Sequence, residues 1–157
     1  MYSSLNFEAG LQFLFIVLFI VPAILFLITL QNTLKAISPE NRKMPPANVW
    51  LLCIPLFNFY WQFIVVNKIA ESIAMECKKL QIPLKENKPT YNLGLGWSIC
   101  YILFLIPLIK LFVAVILMII WILYWIRVSE FKNLIKANQN NFILDAERNI
   151  FHGDKIS

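Results

Sequence analysis

Residues 49–66 read VWLLCIPLFNFYWQFIVV, and this stretch decides how the rest of the chain is arranged. It is apolar enough to enter a membrane, yet it contains Pro55, Asn58 and Gln62 near its middle. Proline disrupts the interior of a helix, and polar side chains are costly in hydrocarbon. The stretch therefore either crosses a bilayer as one helix or enters the bilayer and turns back inside it.

The composition is typical of an integral membrane protein. Of the 157 residues, 59% are hydrophobic and 15% are charged. Soluble domains are about 45–50% apolar and roughly 25% charged. A chain of this size leaves a large share of its surface exposed when it folds, so lipid is needed to cover the additional apolar area.

The hydrophobic pattern predicts four helical segments. In order, these are residues 11–36, residues 49–80 with a break near 55–58, residues 91–106 and residues 111–127. The apolar block 93–128 would rise about 54 Å as one helix, which exceeds the ~30 Å hydrocarbon core even when tilted. A tight turn at 107–110, which contains Pro107 and Lys110, therefore makes this block a hairpin.

Two polar segments adjoin the apolar ones. The apolar residues of 67–80 recur at helical spacing: Ile69, Ile73, Cys77 and Leu80. The charged residues of this segment, Glu76 among them, lie mostly off that stripe, which predicts an amphipathic helix on the membrane surface or against the protein. In the polar tail 129–157, we expect the helix to continue to about Asn138 and the asparagine-rich residues 138–141 to end it.

The positions of lysine and arginine favour one topology, because these residues concentrate on the cytoplasmic side. The fourteen basic residues divide into three in 31–48, five in 67–92, one in the 107–110 turn and five from Arg127 onward. If residues 49–66 re-enter, thirteen of them are cytoplasmic. If that stretch crosses and both termini are inside, ten are. We therefore predict an all-α membrane protein with three transmembrane helices plus a re-entrant helical hairpin; four transmembrane helices is the alternative.

The residues around the central stretch also resemble a known group. The series is Trp50, Pro55-Leu-Phe-Asn58, Val65-Val66, Ile69 and Ser72. Over residues 32–75 it resembles an uncharacterised family of small bacterial membrane proteins, a domain of unknown function with a Trp…Pro-x-x-Asn…Val-Val pattern. Family members often have a second proline where this chain has Tyr60-Trp61-Gln62. The resemblance implies a multi-pass protein of the bacterial cytoplasmic (inner) membrane and brings no activity with it.

The sequence offers few residues for chemistry. It contains no recognisable serine–histidine–aspartate set, phosphate-binding glycine loop or metal-ligand spacing, so we expect no enzyme, no cofactor and no metal site. The candidate site residues are the polar intramembrane or turn residues Pro55, Asn58 and Gln62. Asn58 and Gln62 are four residues apart and share one face of a helix, where they either contact a ligand or hydrogen-bond to neighbouring helices.

The expected function is that of a non-enzymatic scaffold or accessory subunit of a membrane assembly. The alternative is an oligomeric small channel or transporter in which Pro55–Asn58 forms the pore or gate. Residues 1–128 are predicted to form one membrane domain, and residues 129–157 a cytoplasmic tail. The expected partners are the bilayer, anionic lipid headgroups that attract lysine and arginine, and further copies of the chain or other membrane proteins. Nucleic acid is not an expected partner, although the net charge is +5.

Overall fold

The computed structural model of the protein describes residues 10–14 and 16–153, with side chains described as far as residue 144. In this part of the chain the regular structure is entirely helical. A π-helical segment, Ile16–Ile20, leads into α1, Val21–Ala36; a 3-10 helix, Pro46–Cys53, is followed by α2, Pro55–Lys79, then α3, Tyr91–Leu103, and α4, Lys110–Gly153.

Two of the helices are long and apolar enough to cross a membrane, namely Gly10–Ala36 and Lys110–Leu144. Their most apolar windows are only 18% and 17% buried inside the protein. Most of their apolar side chains therefore face outward. For the described residues, the expectation of an all-helical protein is confirmed, and two of its helices could span a membrane.

The stretch 49–66 does not form one helix. The 3-10 helix ends at Cys53, Ile54 is extended with φ −84° and ψ 113°, and α2 begins at Pro55. Proline suits the first position of a helix, where its missing N–H would have had no partner in any case. The break that the sequence predicts near 55–58 thus lies at Ile54, and Asn58 is already inside the first turn, with its backbone N–H 2.8 Å from Ile54 O.

The helices are arranged in a ring. α1 contacts α4, α4 contacts α3, α3 contacts α2, and the 3-10 helix contacts both α2 and α1. α2 and α3 run in opposite directions, because Gln62 lies beside Ser98 whereas the earlier residue Asn58 lies beside Tyr101. α2 also contacts α1 and α4 directly, so the five elements form one closed ring.

The amphipathic second half of α2 packs into this ring. Ile69, Ile73 and Cys77 from its predicted stripe are completely buried. Leu30 and Leu34 of α1 are also completely buried. The apolar stripe is covered by the rest of the chain, so this helix face is a protein contact.

A close contact between helices is centred on Gly94 of α3. A Cβ atom there would lie 2.5 Å from Val66 Cγ1 and 2.9 Å from Tyr124 Cε2. At Gly96 the nearest atoms, those of Ile120, would be 3.9 Å away. Only Gly94 is needed for the close approach of α3 to α2 and α4, in the manner of small residues at membrane-helix contacts.

The prediction that the helix ends at residues 138–141 is wrong, because α4 continues to Gly153. Gln139 Nε2 donates hydrogen bonds to Ala36 O at 2.9 Å and to Glu76 Oε1 at 2.7 Å. Asn138 Nδ2 donates to Leu134 O at 2.9 Å. These contacts stabilise helical geometry in a segment whose own propensity is weak, since tertiary contacts readily override propensity.

Candidate functional site

The ring of helices surrounds a cavity of about 480 Å³, here called the central cavity. Its volume falls within the roughly 300–1,000 Å³ range of ligand pockets. All five elements of the ring line it, and its wall includes Ala23, Leu52, Asn58, Tyr101, Ala114 and Trp121. The wall is almost entirely apolar, with Asn58 and Tyr101 supplying its amide and phenol groups.

An aromatic layer, composed of Phe26, Trp97, Trp121 and Tyr124, closes one end of the central cavity. The Phe26 ring meets Trp97, Trp121 and Tyr124 edge-on, with centroids 5.5, 5.6 and 6.0 Å apart. Trp97 and Tyr124 are stacked at 6.0 Å. Phe26 is 3% exposed and Tyr124 is completely buried, so this end of the cavity is sealed by packed rings.

Asn58 is the candidate residue that lines the central cavity. Its Nδ2 donates a long hydrogen bond, 3.5 Å, to the hydroxyl oxygen of Tyr101. Its Oδ1 is buried and accepts no hydrogen bond from any described residue. Buried polar atoms are nearly always hydrogen-bonded. An acceptor without a partner can therefore accept a hydrogen bond from a bound molecule.

Gln62 and Pro55 are placed differently from Asn58. Gln62 is completely buried, and its Nε2 donates to Ser98 O at 3.2 Å, which joins α2 to α3. Its Oε1 has no partner among the described residues. Pro55 is exposed and starts α2. Of the three candidates, Asn58 lies at the cavity, Gln62 holds two helices together and Pro55 sets a helix end.

The other end of the ring holds a cluster that sequence reasoning missed. Glu76 is completely buried. Its carboxylate accepts hydrogen bonds from Ser38 Oγ at 2.8 Å, Asn41 Nδ2 at 2.7 Å and Gln139 Nε2 at 2.7 Å. Burial raises the pKa of Glu76, but the hydrogen bonds from Asn41, Ser38 and Gln139 lower it more, so the pKa lies below its ordinary value. Glu76 is therefore ionised at neutral pH.

Arg42 completes this cluster by satisfying the end of α1. Its Nε donates to Leu34 O at 2.8 Å and its Nη2 to Ile37 O at 2.9 Å. A cation at these carbonyls, which lie at the carboxyl-terminal end of α1, also interacts favourably with the helix dipole. We call the set Ser38, Asn41, Arg42, Glu76 and Gln139 the polar base.

Two further hydrogen bonds fold the segment between α1 and α2 back on itself. Lys43 N donates to Ser72 Oγ at 2.9 Å, and Trp61 Nε1 donates to Asn48 O at 2.9 Å. The chain therefore leaves the polar base, reaches Ile54, and returns to the same end of the ring along α2.

Metal-ligating side chains do not cluster in the described part of the chain. That part contains no group of three or more His, Cys, Asp or Glu residues placed to hold a metal ion. Burial, followed by the charge of Glu76, raises the pKa of the Cys77 thiol to about 11. A thiol with that pKa is protonated at neutral pH and is a poor nucleophile.

No family model, curated protein or solved structure matches this chain. The resemblance of residues 32–75 to a bacterial membrane family therefore stays a prediction.

Proposed function

We propose that the protein is an integral protein of the bacterial cytoplasmic membrane that serves as a non-enzymatic accessory subunit of a membrane assembly. The outward-facing apolar surface of Gly10–Ala36 and Lys110–Leu144 supports membrane insertion. A core helix of a soluble protein is mostly buried, whereas less than a fifth of each window is buried here. Lipid is the medium that covers such a surface without cost.

The proposed topology has three spans and a re-entrant hairpin formed by the 3-10 helix and the first half of α2. The Lys43–Ser72 hydrogen bond supports re-entry, because it joins the segments before and after the hairpin at one end of the ring. A spanning helix would separate those segments by the thickness of the membrane.

The hairpin of α3 and α4 supplies the second and third spans. Lys110 at its turn and Arg127 are seventeen residues apart on α4, a rise of about 26 Å, so these two charges lie near opposite surfaces. Lys110 is then the one basic residue on the outer side. The polar base and the carboxyl-terminal end of α4 are cytoplasmic by the positive-inside rule.

An exposed apolar segment of α4 supports the role of an accessory subunit; it consists of Phe142, Ile143 and Leu144. They are 57%, 54% and 56% exposed, and Phe142 lies about 22 Å beyond Arg127 along α4. The headgroup region is roughly 5–8 Å deep, so these side chains extend into water. Successive positions on a helix point about 100° apart. A partner must therefore surround the helix, as neighbouring helices in an assembly do.

A channel or transporter gated by Pro55–Asn58 is less well supported. The aromatic layer closes the central cavity, and completely buried aliphatic side chains such as Leu30 and Ile69 lie between that layer and the polar base. A pathway within one chain would require this packing to open. A pathway between copies would have to use the outer surface of the ring.

Site-directed labelling tests the topology. Single cysteines at Glu40, Glu86 and Leu108, placed in a chain whose three native cysteines are replaced, are to be labelled with a membrane-impermeant maleimide. All three positions are exposed. We expect residues 40 and 86 to be labelled from the cytoplasmic side and residue 108 from the outer side. Labelling of residues 40 and 86 from opposite sides would show that 49–66 crosses the membrane.

Photo-crosslinking in the native membrane tests the assembly. A photoreactive side chain at Ile143 is expected to give a protein adduct of defined mass, whereas the same group at the outward-facing Leu123 of α4 gives lipid adducts. The substitutions Phe142→Ser and Leu144→Ser should abolish the protein adduct, while Asn140→Ser and Asn141→Ser should not. Absence of a protein adduct at Ile143 in the native membrane contradicts the proposed role.

A further inference from the structure

We propose that the central cavity is a binding site for a long-chain amphiphile of the membrane. The hydrocarbon chain of the ligand occupies the apolar cavity, and a hydroxyl group on that chain hydrogen-bonds to Asn58 and Tyr101. This inference depends on the proposed membrane topology and is independent of the proposed assembly through Phe142–Leu144.

The position of the cavity along α4 determines the medium that surrounds it. The lining residue Ala114 is four residues from Lys110, and the lining residue Trp121 is six residues from Arg127. These separations correspond to about 6 Å and 9 Å along the helix axis. The cavity therefore lies at the depth of the lipid acyl chains, where hydrocarbon is the most abundant candidate occupant.

The cavity is open to that medium. Leu18 and Met118 line it and are also 59% and 43% exposed. Cys53 of the 3-10 helix is a further lining residue that is exposed. A chain can enter sideways past these residues, whereas the aromatic layer blocks passage towards the polar base.

Water is a poor occupant of this space. A buried water molecule needs two to four polar partners, so the amide of Asn58 and the hydroxyl of Tyr101 can hold about one water molecule, and the rest of the 480 Å³ has an apolar wall. An apolar chain gains dispersion contacts with the lining that an empty cavity forfeits. The lining thus favours hydrocarbon over both water and vacancy.

The Asn58–Tyr101 pair adds selectivity for a chain that has a hydroxyl group. The 3.5 Å bond between Asn58 and Tyr101 is long, and the Asn58 carbonyl oxygen lacks a partner among the described residues. An asparagine carbonyl can accept a hydrogen bond, and a tyrosine hydroxyl can both donate and accept. A small side-chain adjustment lets a ligand hydroxyl satisfy the acceptor that the protein leaves unpaired.

Fluorescence quenching provides the test, because Trp97 and Trp121 line the cavity and report on contact with bromine. The full chain in phosphatidylcholine vesicles is to be titrated with a terminally brominated long-chain alcohol and with the brominated alkane of the same length. We expect two components as the probe concentration rises: a saturable quenching of the cavity tryptophans, and a linear quenching of the tryptophans that face lipid. The alcohol should bind roughly two- to tenfold more tightly than the alkane, the range that one hydrogen bond provides.

Substitutions in the cavity wall and beside it assign the quenching to the cavity. Ala114→Phe fills the cavity and should remove the saturable component for both probes, whereas Val115→Phe, at the next, 60% exposed position, should leave it unchanged. Asn58→Leu should reduce the affinity for the alcohol to that for the alkane. Circular dichroism checks folding, and Ala23→Phe fills the same cavity from α1 if Ala114→Phe does not fold.

Two outcomes would overturn the proposal. One is a linear quenching curve for the native protein that is the same as the curve for a folded cavity-filling variant. The bromine would then reach the tryptophans only from the surrounding lipid. The other is equal affinity for the alcohol and the alkane, which would remove the role of the Asn58–Tyr101 pair. A failure of the membrane topology itself is recognised separately, by the labelling of residues 40, 86 and 108.

Discussion

The two ends of the helical ring are built on different principles. In the polar base, Glu76 accepts three hydrogen bonds and Arg42 satisfies the end of α1. At the central cavity, packing is almost entirely apolar, and the Asn58 carbonyl is left without a partner among the described residues. Directional bonds thus fix the geometry of one end, and loosely filled space characterises the other.

This difference indicates where stability and binding are to be found. Breaking a satisfied network exposes several unpaired buried groups at once, so substitutions in the polar base should destabilise the fold. Substitutions at the cavity remove few bonds and should mainly alter what the cavity accommodates. Measuring how strongly substitutions at each end lower the unfolding free energy tests this difference.

The largest expected effect is that of Glu76→Ala. The substitution removes three hydrogen bonds to a buried carboxylate and leaves the donors of Ser38 and Asn41 without their acceptor. We expect a loss of about 3 kcal/mol of unfolding free energy, because bonds to charged groups are the stronger ones. Equilibrium unfolding in detergent measures it. The exposed Glu86, changed to alanine, is the matched control and should have little effect; equal losses at both positions would contradict the contrast.

Gly94→Ala is expected to have the second-largest effect. The new methyl group would lie 2.5 Å from Val66 Cγ1, and overpacking of this kind costs about 1–3 kcal/mol. At Gly96 the nearest atoms are 3.9 Å away, so Gly96→Ala should be neutral or stabilising through its better helix propensity. Thermal unfolding of the two variants side by side makes the comparison. Equal destabilisation of the two variants would show that the close contact of Gly94 with Val66 does not distinguish it from Gly96.

The sequence could predict some features of the fold and not others. Helical periodicity located the apolar stripe of Ile69, Ile73 and Cys77, because the spacing of residues within one helix determines which side chains share a face. The Glu76 cluster was missed because its partners are 35, 38 and 63 residues distant in the chain. Those same contacts explain why α4 continues through 138–141, where local propensity predicted an end. Contacts between distant residues leave no periodic signal in a single sequence.

The candidate site was likewise predictable only in part. Polar residues in an apolar stretch are conspicuous, so Asn58 and Gln62 could be singled out from the sequence. Their different roles depend on which neighbours α3 supplies, Tyr101 for one and Ser98 for the other. The central cavity could not be predicted from the sequence, because it exists only once five elements pack into a ring. The volume left between packed helices does not depend on hydropathy in a way that a sequence shows.

Acidification should weaken the polar base in a defined direction. The pKa of Glu76 in the folded protein lies below the ordinary value of 4.5, so the folded state binds fewer protons than the unfolded state near that pH. The stability that Glu76 contributes is therefore present above about pH 4.5 and is lost as the pH falls through the folded-state pKa. Unfolding of the native protein and of Glu76→Gln, measured from pH 7 to 3, should show a flatter profile for the variant. Parallel profiles would assign the acid sensitivity to other carboxylates, such as Glu71.

The smallest expected effect on stability is that of Asn58→Leu, at the centre of the cavity end. The substitution removes one long hydrogen bond but also removes a buried carbonyl oxygen that has no described partner, and replacing an unsatisfied polar group with an apolar one is nearly neutral. We expect a change of less than about 1 kcal/mol in either direction. Gln62→Leu also removes an oxygen without a described partner, but it loses a shorter bond, to Ser98 O at 3.2 Å, from a completely buried side chain, so it should be more destabilising than Asn58→Leu. Unfolding curves for the two variants place them on one scale with Glu76→Ala. If Asn58→Leu proved as destabilising as Glu76→Ala, the Asn58–Tyr101 contact would be a structural bond like those of the polar base, and its availability to a ligand would no longer follow.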